Sequence, residues 1–207
     1  REFNPDNKNK PPQISESCNS VGTQSWGYRK DESYYSDRFI MQAIASTFAQ
    51  GHNYLLNVGP KPDGSVPEKS RAMLLRLYNW IEPIKEAFFD AQPVSQVLNN
   101  SELLTTRKDN NLYVILASNI NAEDLYLDPI ETKPLSATLL NTAQPVMLSI
   151  ERTPTRWRRE TGLLRLCELP VNELCGQVMV IKLEFESDII FSQGKQDSGP
   201  EDQTMIM

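Results

Sequence analysis

The sequence has 207 residues, 39% of them apolar, enough to fill the core of one large domain or two small ones. Its 27 acidic against 21 basic residues leave a formal charge of -6, which gives no electrostatic footprint for nucleic acid or an anionic membrane surface. No apolar run approaches the roughly 20 residues of a membrane helix, so neither nucleic acid nor a membrane is expected as a partner.

Arg1-Glu2-Phe3-Asn4-Pro5 reads like the middle of a folded protein, with neither an initiating Met nor a signal peptide, and the sequence is expected to be part of a longer one. Residues 4 to 13 hold three prolines and almost no apolar content, the composition of an exposed loop. Phe39, Ile40, Ala43, Ile44, Thr47 and Phe48 then recur at three and four residues, which predicts a helix from Ser36 to Gln50, with Ser36 as its N-cap and Gly51 as its stop. Tyr54 to Val58 is a short apolar run between Asn53 and Gly59-Pro60, of strand length, and Lys61-Pro62-Asp63-Gly64 is a turn.

A second helix is predicted from Pro67, with Met73, Leu74, Leu77, Trp80, Ile81, Ile84 and Phe88 on its apolar face and Pro83 expected to kink or break it. This is a βα-type order, as in an α/β barrel. After Gln92-Pro93 the pattern becomes short β-rich runs. These are Val94 to Leu98, Leu103 to Arg107, Leu112 to Ala117, Leu125 to Leu127, Ala137 to Leu140, Val146 to Ile150, Leu163 to Leu166 and Val178 to Phe185. Asp109-Asn110-Asn111 signals a hairpin, and the repeated spacing favours an antiparallel sandwich. Residues 187–207 have the composition of a flexible tail.

Cys18, Cys167 and Cys175 have no metal-like pairing, although Cys167 and Cys175 could bridge; with His52 the only histidine, no metal site is expected, nor any cofactor. Glu2 and Glu16 are the carboxylates near Trp26 and the Ser- and Asn-rich segment, which makes them the candidates for acid or base chemistry. Trp26 and Tyr28 fit a core or interface as readily as a ligand cleft, and Asn57 could either cap the following loop or touch a ligand.

The ordered segments ESCNSVGTQSWGYR and GHNYLLNVGPKPDGSVPE, each followed by an amphipathic helix, resemble the carboxyl-terminal part of the α-L-fucosidase barrel of glycoside hydrolase family 29. The resemblance runs from about Arg1 to Phe89. It implies an α/β plus all-β fold: the C-terminal part of a (β/α)8-like barrel over residues 1–92, a β-sandwich over 93–186, and the tail. It also implies a retaining exo-hydrolase that removes terminal α-L-fucose from glycoconjugates in a secreted, periplasmic or lysosomal setting, and leaves an oligomer open. Glu2 then falls at the acid/base position, with Glu16 as the competing assignment, and Trp26 at the aromatic that packs on the C5 methyl of fucose. Two positions depart from the family wording: His52 replaces a Gly and Ser15 a Trp. The family's nucleophile Asp and sugar-gripping His residues match nothing in this sequence, so the nucleophile is expected upstream of Arg1. The competing reading is a carbohydrate-binding or non-catalytic interaction unit, for which Tyr113, Tyr126 and Trp157 are the scattered aromatics.

Overall fold

The computed structural model describes residues 15–94, 103–118, 121–127, 130–151 and 162–191; Glu2, the loop of residues 4–13, residues 95–98, Trp157 and residues 192–207 lie outside them. The first unit is a βαβ arrangement. Strand β1 (Glu16–Ser20) pairs in parallel with β2 (Asn53–Asn57), in the register Glu16 to Asn53 through Ser20 to Asn57, and helix α1 (Asp37–Ala49) connects them. The Ser36 hydroxyl accepts the Phe39 N–H at 3.2 Å, and Gly51, at φ 75°, ends the helix in a conformation that suits glycine.

Helix α2 (Glu68–Ile84) follows, with Pro67 as its N-cap and Met73, Leu77, Trp80 and Ile84 buried. Pro83 stands in its last turn, and the backbone passes into a 3-10 turn over Lys85–Ala87 one residue beyond Ile84. Leu74 is exposed, so the buried stripe is narrower than the apolar periodicity alone predicts. No helix of the described residues is long and apolar enough to cross a membrane.

The remaining strands form two antiparallel sheets. One contains β3 (Gln92–Pro93), β4 (Leu104–Lys108), β5 (Asn111–Leu116), β11 (Met179–Glu184), β7 (Ser136–Leu139) and β8 (Gln144–Pro145), in that spatial order. The other contains β6 (Leu125–Leu127), β10 (Leu163–Cys167) and β9 (Met147–Glu151). β4 and β5 form the hairpin signalled by the sequence, with Asp109 at φ 51°.

Proline dictates both edges of the larger sheet: Pro93 and Pro145 lack an N–H and sit in two-residue outer strands, opposite Thr106 and Thr138. The edge strand spans Gln92–Pro93 and the Val94 N–H still donates to Thr105 O at 3.1 Å, whereas the rest of the strand predicted from Val94 to Leu98 lies outside the described residues.

Two apolar cores lie on opposite faces of this sheet. Leu112, Val114 and Leu116 of β5 and Met179, Ile181 and Leu183 of β11 meet Leu125, Leu127, Leu164 and Leu166 of the smaller sheet. The alternate residues Tyr113, Ile115 and Val180 meet Ile40, Ile44, Met73, Trp80 and Ile84 of the helices. Period-two alternation thus makes the sheet a middle layer, apolar on both sides. Polar contacts fasten the helical layer: Trp80 Nε1 donates to Val178 O at 2.9 Å, Gln42 Nε2 donates to Ala117 O at 2.7 Å, and Arg38 donates to the carbonyls of Ser118, Cys175 and Gln177.

Two expectations are corrected. Cys167 and Cys175 are both free, one buried in β10 and the other exposed, so they do not bridge. Residues 187–191 are tied to the fold, although Asp188 and Ile190 are exposed: Ile189 is buried, Phe191 bridges to Ile130, and Thr132 Oγ1 donates to Asp188 O while accepting the Ile190 N–H. Their polar flanks hid a short segment whose apolar residues close the second core.

On the outer face of the smaller sheet, Arg165 donates to both Asp124 and Glu151. The Arg165 guanidinium, and after it the Glu168 N–H, hold the Asp124 carboxyl below its ordinary range. A carboxyl depressed in the folded state stabilises the fold above its unfolded pKa, about 3.9, and that contribution is lost as pH falls through and below this value. Glu184, held low by Ser136 and then Lys182, acts in the same sense. Arg165→Met is expected to flatten the decline of the urea midpoint between about pH 5 and pH 2 without abolishing it, because Glu184 still contributes. An unchanged slope would remove Arg165 from that role.

Candidate active-site rim

Parallel pairing brings the carboxyl ends of β1 and β2, Ser20 and Asn57, side by side, so the segments that follow them share one rim. In open and barrel α/β architectures that is the end where ligands bind, because the connecting loops, and not the strands, are free to carry chemistry. Residues 21–35 form a folded loop here. Val21 O accepts the Tyr35 N–H, Gly22 bridges Tyr34, and the Thr23 N–H donates to Ser33 O at 2.8 Å. The Glu32 carboxylate turns inward, accepts the Gln24 N–H at 2.9 Å, and occupies the space that a side chain at position 22 would need.

Trp26 stands on this loop with 56% of its surface exposed, an unusual degree for an indole on an ordered backbone. Tyr28, 39% exposed, follows it. The rim is otherwise polar: Ser20 Oγ donates to Ser25 O at 3.2 Å, Ser25 Oγ accepts the Gly27 N–H at 3.1 Å, and Asn57 Nδ2 donates to Trp26 O at 2.7 Å. Asn57 therefore caps a loop, but the preceding one that bears Trp26, not the following one.

Glu16 occupies the other end of β1. Four residues at about 3.3 Å each put it about 13 Å along the strand from Ser20. Its carboxylate accepts from Cys18 Sγ at 3.6 Å, and partial desolvation of this exposed thiol, followed by that carboxylate, pushes its pKa up. Trp26 and Glu16 are thus on one strand-loop unit but not brought together. The side chains of Glu16, Cys18 and Leu55 share the sheet face turned away from the helices, whereas Tyr54 and Leu56 pack toward them. Leu55, inside the apolar run from Tyr54 to Val58, is 47% exposed.

The aspartates nearest in sequence are engaged elsewhere. Asp31 pairs with Arg29, Asp37 with Arg76, and Asp63 accepts from the Ser65 N–H and hydroxyl, which hold its carboxyl below the ordinary range. Among the described residues no three His, Cys, Asp or Glu side chains group as a metal site. Of the scattered aromatics, Tyr113 is buried and donates its hydroxyl to Glu86, while Tyr126 is partly exposed beside the Arg165 guanidinium.

Residues 2–86 match the family model described as alpha-L-fucosidase. The tissue alpha-L-fucosidase of Rattus norvegicus is 34% identical over 103 residues, 47% of this chain and 22% of the relative. That of Homo sapiens is 30% identical over 148 residues, 67% of this chain and 32% of the relative. These matches thus span less than a third of either relative's length. The crystal structure of Thermotoga maritima alpha-fucosidase in complex with fucose superposes with a TM-score of 0.64 at 21% identity, covering 84% of this chain and 40% of that one, a likeness of fold. Over residues 2–86, the segment that carries the Trp26 rim, the chain matches the α-L-fucosidase family.

Proposed function

We propose that this chain forms part of a retaining α-L-fucosidase that releases terminal α-L-fucose from glycoconjugates, with the Trp26 loop as one wall of the sugar site. The observation that carries the reading is the exposed indole, held on an ordered loop at the carboxyl end of a parallel strand pair inside the family segment. A 6-deoxy sugar presents an apolar methyl edge that an indole covers well, while its hydroxyls require polar partners. In this reading β1 and β2 are the last strands of a (β/α)8-like barrel over residues 1–92, and the two antiparallel sheets are the accessory sandwich. The setting is secreted, periplasmic or lysosomal.

Retention requires two carboxyl groups about 5 Å apart, one attacking the anomeric carbon and one protonating the leaving oxygen before activating water. We assign the acid/base role to Glu2 by its place in the family wording. Glu16, at the amino end of β1 and far from the Trp26 rim, is the weaker assignment. The engagement of Asp31, Asp37 and Asp63 favours a nucleophile supplied from outside this sequence.

Two outcomes test this. In an active enzyme carrying this sequence, Glu2→Ala should lower kcat on an aryl α-L-fucoside by about 100-fold or more, the scale of general acid–base catalysis. Azide should restore the rate by giving a fucosyl azide of retained configuration. Rescue of Glu16→Ala and not of Glu2→Ala would reverse the assignment.

Trp26→Ala should raise KM for the fucoside by about ten-fold or more. It should also narrow the preference for L-fucose over L-galactose, which carries a hydroxyl on the same carbon. Unchanged values for both quantities would take Trp26 out of the sugar site.

A further inference from the structure

We infer that Asn57 is a positioning residue for the sugar-facing indole: strand β2 sets the place of Trp26 without itself touching substrate. Three successive backbone units around the indole are held from the strand ends. Ser20 Oγ donates to the carbonyl of Ser25 at 3.2 Å, Asn57 Nδ2 donates to the carbonyl of Trp26 at 2.7 Å, and Gly59 lies against the Gly27–Tyr28 peptide. The last contact leaves no room for a side chain, since a Cβ at position 59 would come within 2.5 Å of the Gly27 carbonyl carbon and 2.6 Å of the Tyr28 nitrogen.

Asn57 is itself fixed by both strands. Its carbonyl accepts the Val21 N–H at 3.0 Å, its backbone pairs with Ser20 in the parallel ladder, and its Nδ2 also lies 3.4 Å from Ser20 Oγ. The indole, more than half exposed, has little packing of its own to hold it. Its direction is therefore set by the backbone on which it stands, and among the described residues the side chain donating to that residue's own carbonyl is Asn57. A carboxylate at position 57 would have the same shape but no donor, and would face the Trp26 carbonyl with like partial charge.

The cause, ordering of the indole, stands on these contacts alone; the consequence for sugar affinity rests on the proposed function. Both are measured separately. In the full chain labelled with fluorotryptophan, the Trp26 fluorine signal is identified by its loss in Trp26→Phe. In Asn57→Asp that signal is expected to sharpen and shift toward the position of an unfolded chain, while the Trp80 signal from the buried core remains in place. A Trp26 signal unchanged from wild type overturns the inference.

Should Asn57→Asp lose the fold, as the Trp80 signal would reveal, Gly59→Ala supplies the second arm. Its methyl displaces the Gly27–Tyr28 peptide while leaving the Asn57 amide intact, and the same Trp26 shift is expected; its absence likewise overturns the inference. In the active enzyme, Asn57→Asp should raise KM for an aryl α-L-fucoside about ten-fold with kcat changed less than three-fold. If Trp26→Ala raises KM and Asn57→Asp does not, positioning is refuted. If the fluorine signal shifts as expected but Trp26→Ala leaves KM unchanged, the positioning of the indole stands and its contact with sugar is refuted.

Discussion

The architecture depends on one constraint: a central sheet that is apolar on both faces must be covered on both. β5 and β11 contribute alternate residues to two cores, and neither core closes without the other layer. At 25 cal/mol per Å2 or so of buried apolar surface, an uncovered face of this kind would be strongly destabilising. Helices α1 and α2 supply one cover and the three-stranded sheet the other. The bond from the Trp80 indole to the Val178 carbonyl sits inside the first of these contacts, where an unpaired carbonyl would be costly.

This coupling has a bearing on the candidate site. α1 begins just after the Trp26 loop and α2 just after the Gly59 turn, so both loops leave the rim and enter elements seated on the central sheet. The sheet therefore acts as the floor against which the rim is held, with Arg38 at the start of α1 clasping the carbonyls of Cys175 and Gln177 just ahead of β11. Loops that bind ligand are most precise when their two ends are anchored in rigid elements, and here both anchors are.

Much of this was legible in the residues. The run Leu112 to Ala117 declares a strand buried on both sides, and Ser36 and Gly51 mark the ends of α1. The wording around Trp26 and Asn57 disclosed the family. What the sequence hid has physical causes. Two-residue edge strands carry no periodicity, and the packed segment around Ile189 is too short to stand out from its polar flanks. The direction of the Asn57 amide is decided by which carbonyl the fold brings within reach, and a backbone acceptor leaves no mark on the residue that bears it. The separation of Glu16 from Trp26 is likewise a matter of strand direction, invisible in a spacing of ten residues.

The two edges of the central sheet share a further property. Each ends in Gln-Pro, with the proline opposite a threonine and its ring where an amide donor would otherwise project. A growing β-ladder needs that donor, so among the described residues each proline removes one point of attachment from its edge. Beside its own copies, this layer meets edge-to-edge pairing with a two-residue Gln-Pro strand at each of these margins.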